Sequence, residues 1–345
     1  MPGKKVEEPE PLGWDAIDGA LRKVYGDTEP HRWVGGNDPL GGTHAYRSEF
    51  GGRAHWHFVT FGNSGPSAKA SDPGGSGFGY EMTIRVVDPE ATMEPPEWVP
   101  SLLQILARYV VRTRNPFGDG HTVPLNGPMV LGRSTLLEAA AFVTDPQLAA
   151  IDTPRGRVEF IQFVGLTSDE LDASKAWDVL RLLDLFAEHD PALLTDLSRG
   201  SYLANPEIQR RLEEGIAKDG SSMDSLCLKD GCFLAARGGP AVLGVTANAI
   251  GDLKRIVSGR LEFGRLAIIE WPGGSVRLSP GARTAVVFEQ SLPVGLSLEP
   301  VDREAVHDVP AKRGDYPLPS GRAVIRVIPF DVIDRERNRV VRTIG

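Results

Sequence analysis

Two histidines lie two residues apart in His55-Trp56-His57-Phe58-Val59-Thr60-Phe61, and they are the side chains of this 345-residue chain best placed to do chemistry. Side chains alternate across a strand, so His55 and His57 share one face, with Trp56 and Phe58 on the other. Imidazoles at this spacing suit zinc and similar ions, and Glu81 or His44 could complete a ligand set. That reading gives a metal-dependent hydrolase working from the His55/His57/Glu81 face. A complete set is not visible, however, and histidines satisfied by backbone or carboxylate partners produce the same pattern. The second reading is preferred, with no catalytic residue, metal or cofactor assigned.

Other reactive groups are less well equipped. The serines in Ser64-Gly65, Ser76-Gly77 and Ser221-Ser222 lack the Gly-x-Ser-x-Gly elbow of a nucleophile. Cys227 lies near Lys229, which could lower its pKa, but a neutral structural thiol is the simpler reading. Cys227 and Cys232 are the only two cysteines. They supply neither a disulfide framework nor a CxxC pair. Gly74-Gly75-Ser76-Gly77-Phe78-Gly79 lacks the Gly-Lys-Ser/Thr ending of a phosphate loop and leads into a strand rather than a helix.

Composition narrows the function classes. The chain has 41% hydrophobic residues, enough for packed cores, and its length suits two domains. Acidic residues number 46 against 38 Lys plus Arg. With no segregated basic patch, nucleic acid is a poor partner. The N-terminal residues have no apolar core of a signal peptide, and no stretch is apolar enough for a membrane span, so a cytoplasmic protein without membrane contact is expected.

Elements that would position these residues can be read from periodicity. Trp14, Ile17, Leu21, Val24 and Tyr25 recur at helical spacing before Gly26. A second helix carries Leu102, Ile105, Leu106 and Tyr109 on one stripe, with Ser101 as its N-cap. Val158 to Leu166 alternates as a strand, a helix follows Thr167 or Ser168, and another covers Pro206 to about Ala217. Beyond it lie the short strands Val242–Val245, Arg265–Glu270, Ser275–Leu278, Ala285–Phe288 and Ala323–Ile328, with one helix from about Ala247 to Val257. Adjacent strand pairs favour α+β over a doubly wound sheet. The expected division is a disordered tail at 1–11, a lobe at 12–217, a linker at 218–239, a smaller β-rich lobe at 240–333 and a tail at 334–345. Lys218 to Ser222, polar and glycine-containing, is the expected hinge.

Several words of the sequence, in shared order, resemble the suppressor-of-fused family. They are Trp33-Val34-Gly35-Gly36-Asn37-Asp38-Pro39-Leu40, the His-Trp-His strand, Ser76-Gly77-Phe78-Gly79-Tyr80-Glu81 and Leu106-Ala107-Arg108-Tyr109-Val110. Thr144-Asp145-Pro146-Gln147, Gln162-Phe163-Val164-Gly165 and Asp219-Gly220-Ser221 are similar to further family blocks. Gly259-Arg260-Leu261 and Gly264-Arg265 look like a family hairpin.

The resemblance implies a two-lobed, mixed or antiparallel α+β fold and a non-enzymatic protein-binding module. Family members grip an extended peptide of a partner between their lobes, by strand addition. The chain lacks the long polar insertion of animal members and looks like a compact bacterial type. Bacterial relatives include immunity proteins, which makes a cognate toxin the implied partner. Tyr109 falls on the family's peptide-contacting tyrosine. Asp119 and His121, in Gly118-Asp119-Gly120-His121, fall near its Gly-Asp-His segment, with a difference of one residue in spacing. Leu261 and Arg265 complete the implied partner-binding set.

Overall fold

The computed structural model describes residues 12–34, 42–64, 77–90, 92–153, 156–235, 238–288, 293–334 and 339–345. The expected tail at 1–11, the Gly35 to Leu40 word and Gly74-Gly75-Ser76 lie outside the described residues. The chain divides into two compact units, residues 1–171 with 179–208 and residues 172–178 with 209–345.

The first unit is built on one mixed sheet. In chain order its elements are α1 (Leu12–Tyr25), β1 (His31–Val34), β2 (Gly42–Phe50), β3 (Arg53–Phe61), β4 (Tyr80–Val87), α2 (Trp98–Thr113), β5 (Thr122–Pro124), β6 (Leu137–Thr144), β7 (Ile151–Thr153) and β8 (Gly156–Thr167). Strand order is β1-β2-β3-β4-β8-β6-β5, with β7 paired to β8. β2 and β3 close directly through Gly51-Gly52, whose φ values of +58° and +76° suit a two-residue hairpin turn. β4 and β8, far apart in sequence, run parallel at the centre.

Alternation assigns the two sheet faces to the two helices. Trp56, Phe58, Met82, Ile84, Phe142 and Phe163 pack with Val99, Leu103, Leu106 and Val110 of α2. Tyr46, Val59, Phe61 and Phe160 pack with Ile17, Ala20 and Leu21 of α1. α1 stops where expected, at Gly26 with φ +60°. α2 begins at Trp98, so Ser101 lies inside its first turn rather than at the cap, and Pro100 is tolerated there because first-turn N–H groups have no intrahelical acceptor.

The next helices are α3 (Ser168–Ala176), α4 (Val179–Ala187) and α5 (Pro206–Asp219). The second unit then runs β9 (Ser225–Cys227), β10 (Gly231–Ala235), β11 (Ala241–Thr246), α6 (Ile250–Ile256), β12 (Ala267–Trp271), β13 (Gly274–Pro280), β14 (Ala285–Val287), β15 (Gly295–Leu298), α7 (Pro300–Val306), β16 (Gly314–Pro317), β17 (Ala323–Ile328), β18 (Phe330–Asp334) and β19 (Arg339–Ile344). Two sheets, β10-β11-β17-β16 and β14-β15-β13-β12-β9, share one core with α6 that includes Leu243, Val245, Leu253, Ile256, Ile269, Leu278 and Ile325. The α+β reading holds for both units. No helix among the described residues is long and apolar enough to cross a membrane.

Three local expectations are revised. Residues 218–239 are not a free connector, because β9 and β10 within them pair into the two sheets. Residues 339–344 of the expected tail form β19 against β18. The Gly259 to Arg265 segment is no hairpin: α6 continues through a π turn at Val257–Leu261, and Glu262 N donates to Val257 O.

The Gly-Ser break after α5 is a packed junction. Ser221 is fully buried; its N–H donates to Gly259 O and its hydroxyl to Lys175 O. Ser222 N donates to Trp177 O, and the Trp177 indole donates to Asp219 at 3.2 Å. Lys175–Asp252 and Arg255–Asp172 ion pairs hold the 172–178 segment in this unit. Gly220 is required twice over: its φ is +64°, and an added Cβ would lie 2.3 Å from Gly259 O. Gly220→Ala should therefore destabilise the chain by about 3 kcal/mol, at the upper end for single substitutions. A urea melt in which it unfolds with the wild type would show that the junction can yield.

Candidate functional site

β3 and β4 place the sequence's candidate chemistry in the interior. Directly paired residues share a face, so His57 stands beside Arg85 and Val59 beside Thr83. His57 is fully buried, with Nδ1 2.5 Å from the Tyr25 hydroxyl of α1 and Nε2 3.3 Å from Asp145 Oδ2. A neutral ring accepting from Tyr25 at Nδ1 carries its proton on Nε2, toward Asp145. Burial, and then the Arg85 charge, lower the His57 pKa to about 4. Burial raises the Tyr25 pKa well above its ordinary value.

Asp145 is the centre of this cluster. It accepts from Thr83 Oγ1 at 2.7 Å, from Arg85 Nη1 and Nη2 at 2.7 and 2.9 Å, and from the N–H groups of Gln147 and Leu148 at 2.9 Å each. Burial opposes its charge, but the hydrogen bonds and positive charge around it prevail and hold the carboxyl well below the usual range. Gln162 accepts from Arg85 Nη1, and Gln147 accepts from Arg85 Nη2 at 2.8 Å.

The three residues of the hydrolase reading do not converge. Glu81 is separated from Arg85 by four residues of β4, about 13 Å along a strand. Its carboxylate accepts from Thr60 Oγ1, Gly62 N, Asn63 N, Ser64 N and Ser64 Oγ at 2.6–3.3 Å, which fixes the turn after β3. Burial raises its pKa, and these hydrogen bonds oppose the rise. His55 Nδ1 faces the Arg53 carbonyl at 3.2 Å, and burial lowers its pKa. His44 packs its ring on Phe61 with centroids 4.0 Å apart. No group of three or more His, Cys, Asp or Glu among the described residues is arranged to hold a metal. Cys227 is shifted opposite to a nucleophile, its thiol pKa raised by burial and by Glu270.

Tyr109, Asp119 and His121 meet at one border of the first unit. Tyr109 is half-buried on α2 and stacks on Phe117 with centroids 5.7 Å apart; Phe117 stacks on Phe142 at 4.1 Å. Asp119 and His121 are exposed on the turn leading into β5, the outermost strand of the sheet. Asp119 Oδ1 accepts from Thr144 N at 2.6 Å, and His121 Nδ1 accepts from Gly118 N at 3.2 Å. Gly120, with φ +80°, makes the turn possible.

Leu261 and Arg265 are structural in the second unit. Leu261 is 1% exposed in the core. Arg265 donates to the carbonyls of Asp219 and Gly259 at 2.5 and 2.9 Å, closing the junction around Gly220. Both were expected at a partner surface; burial and internal hydrogen bonding account for them instead.

Sequence reasoning about chemistry missed Arg85, Asp145 and Tyr25. The available signal was a lone arginine in the apolar run Met82-Thr83-Ile84-Arg85-Val86-Val87, since a buried cation requires a buried carboxylate.

The His57 cluster has a pH signature. His57 has a folded pKa of about 4 against 6.5 ordinarily, so between those values the unfolded chain binds a proton that the folded chain refuses. Stability therefore rises with pH across this window and is lost on acidification. His44, lowered to about 4 by burial and then by Arg32, acts in the same direction. For His57 the loss from pH 7 to 5 should be about 2 kcal/mol. Urea melts at both pH values should show a smaller loss in His57→Gln than in wild type, although the variant is less stable at pH 7. Equal losses would assign the dependence elsewhere.

Comparison with known proteins agrees with this architecture. The family model described as Suppressor of fused protein (SUFU) matches residues 36–200. The human Suppressor of fused homolog is 32% identical over 242 residues, covering 63% of this chain and 50% of the human protein, and the mouse homolog matches equally. The chain thus spans about half the length of the curated relatives it matches. The crystal structure of Drosophila Suppressor of Fused superposes with a TM-score of 0.71 at 20% identity, covering 92% of this chain and 97% of that one, which establishes a shared fold. The Sufu-Fu complex crystal structure gives a TM-score of 0.53 at 27% identity, over 59% of this chain and 98% of that one. Through residues 36–200, and with 32% identity to the human and mouse homologs, this chain is similar to the suppressor-of-fused family.

Proposed function

We propose that this chain is a protein-binding module that takes an extended segment of a partner at the border formed by Tyr109, Asp119 and His121. The observation that carries the reading is the exposure of an acid and an imidazole beside a half-buried tyrosine, next to an edge strand. An edge strand offers unpaired backbone groups to an incoming strand. Pro124, lacking an N–H, shortens the stretch of β5 that can pair, so side-chain contacts must supply much of the selectivity. Tyr109 provides an amphipathic ring on the rigid Phe117–Phe142 stack. Asp119 has one oxygen engaged by Thr144, leaving the other to accept from a donor on the ligand. The neighbouring solved structure of a Sufu-Fu complex supports a binding role. In the immunity form of this proposal, the segment belongs to a cognate toxin.

The test compares partners retained by the wild type and by the Tyr109→Ala/Asp119→Ala double variant, after circular dichroism shows that both are folded. The expected outcome is at least about a tenfold loss of affinity for one partner, on the scale of removing an interface anchor. Retention of every partner at equal affinity would remove this border from consideration.

A further inference from the structure

Six carboxylates are buried among the described residues: Glu81, Asp88, Asp145, Glu170, Asp190 and Asp302. Five receive at least three hydrogen bonds each. Glu81 and Asp145 are described above. Glu170 accepts from Thr167 N, Tyr202 N and both terminal nitrogens of Arg199. Asp190 accepts from Arg53, Leu194 N and the Tyr202 hydroxyl, and Asp302 from Thr284, Ser320 N and the Ser320 hydroxyl. Asp88 differs. It is 8% exposed, and the donor to its carboxylate among the described residues is the Thr92 hydroxyl, at 3.1 and 3.2 Å. A buried carboxylate is stable when paired or fully hydrogen-bonded, so this one is short of a cation.

Asp88 lines a cavity of about 420 Å³ in the first unit, with Glu90, Glu94, Asp196, Arg133 and Trp98 also in its wall. Asp196 is paired with Arg53 at 3.1 Å, so carboxylates outnumber guanidinium groups here four to two. Trp98 adds an aromatic wall, and its indole nitrogen is buried without a hydrogen-bond partner among the described residues. Met93, between the lining residues Thr92 and Glu94, is 74% exposed.

We propose that this cleft is a second recognition site, which accepts an arginine side chain from an apolar-basic segment of a partner protein. The guanidinium completes Asp88 through paired N–H donors and lies against Trp98, while Glu90 and Glu94 add long-range attraction. A flanking apolar residue of the segment covers Met93. The site is distinct from the Tyr109 border and does not depend on it.

A blocked hexapeptide of alternating leucine and arginine, titrated into the full chain by calorimetry, tests this. It should bind, and the leucine-glutamine counterpart should not. Asp88→Asn should weaken binding about thirtyfold or more without lowering the melting temperature, since the amide keeps the shape and removes an unpaired buried charge. Glu90→Gln/Glu94→Gln, at exposed positions, should weaken it by a smaller factor and make it less salt-sensitive. Glu213→Lys/Glu214→Lys, on exposed positions of α5, and Tyr109→Ala should leave it unchanged. Equal weakening by the α5 variant would reduce the effect to net charge and overturn the proposal. Unchanged binding in Asp88→Asn, or displacement of the peptide by calcium, would overturn it as well. Loss with Tyr109→Ala alone would sink the cleft and support the other border.

Discussion

Arg85 has no solvent exposure, and neither has the side chain of Asp145, its partner across the sheet. Moving either ion out of water alone costs several kcal/mol even after relaxation, so each is tolerable only with the other present and with the remaining donors and acceptors satisfied. The cluster meets most of that condition by drawing on distant parts of the first unit, with Arg85 Nε and His57 Nε2 left as buried nitrogens without a hydrogen bond among the described residues. Thr83 and Arg85 come from β4, His57 from β3, Gln162 from β8, Gln147 and Leu148 from the turn after β6, and Tyr25 from α1. Removing one charge would strand the other at about 3–5 kcal/mol, a large share of a domain's net stability. Register across β3, β4 and β8 is pinned accordingly, because a one-residue slip would turn Arg85 to the apolar α2 face.

The same residues set the surface beyond the cluster. Gln162 donates to the carbonyls of Ala192 and Leu193, and Leu193 holds a left-handed φ of +49°. Thr195 N donates to Arg85 O, and Val87 N donates to Thr195 O, so Thr195 joins the end of β4 through an isolated parallel bridge to Val86. Asp88 follows Val87 and Asp196 follows Thr195, which puts two carboxylates on adjacent backbones at the mouth of the cleft. Arg53, from the start of β3, bridges Asp190 and Asp196 and fixes the far side. The cleft is therefore a rigid extension of the buried pair.

Much of the fold was legible because long periodic segments leave little choice. α1, α5, β8 and the His-Trp-His strand follow from apolar spacing and from Gly and Pro punctuation. The α2 start was misplaced by four residues because Ser101 is a good cap in isolation, whereas packing of Trp98 and Val99 on the sheet decides the boundary. The π turn after α6 was unreadable, since its Gly259 looks like a stop and its reason lies in Ser221 and Arg265, distant in sequence. The site was legible in type but not in partner. Glu81 reads from the sequence as a possible metal ligand beside His57, and the carboxylate partner of the alternative reading has no residue attached; the parallel β4–β8 and antiparallel β6–β8 pairings bring Asp145 to it. Such pairings cannot be deduced from one strand's periodicity.

Asp145 and Tyr25, rather than Glu81, are the groups that face His57. With Nδ1 held by Tyr25 and its proton on Nε2 toward Asp145, neutral His57 has no lone pair free for a metal. Freeing it would break the contact that docks the end of α1 and leave a buried phenol and a buried carboxylate short of partners. Glu81 is equally committed, its lone pairs filled by the turn it organises. The residues with the most reactive side chains are thus spent on holding the sheet together. What remains at the surface of the first unit is an edge strand with Tyr109, Asp119 and His121 beside it, and a cleft whose buried carboxylate lacks a cation. The first stands on the Phe117–Phe142 stack and the second beside the end of β4. Both present donors, acceptors and apolar area, the features by which the two proposals have them recognise another chain.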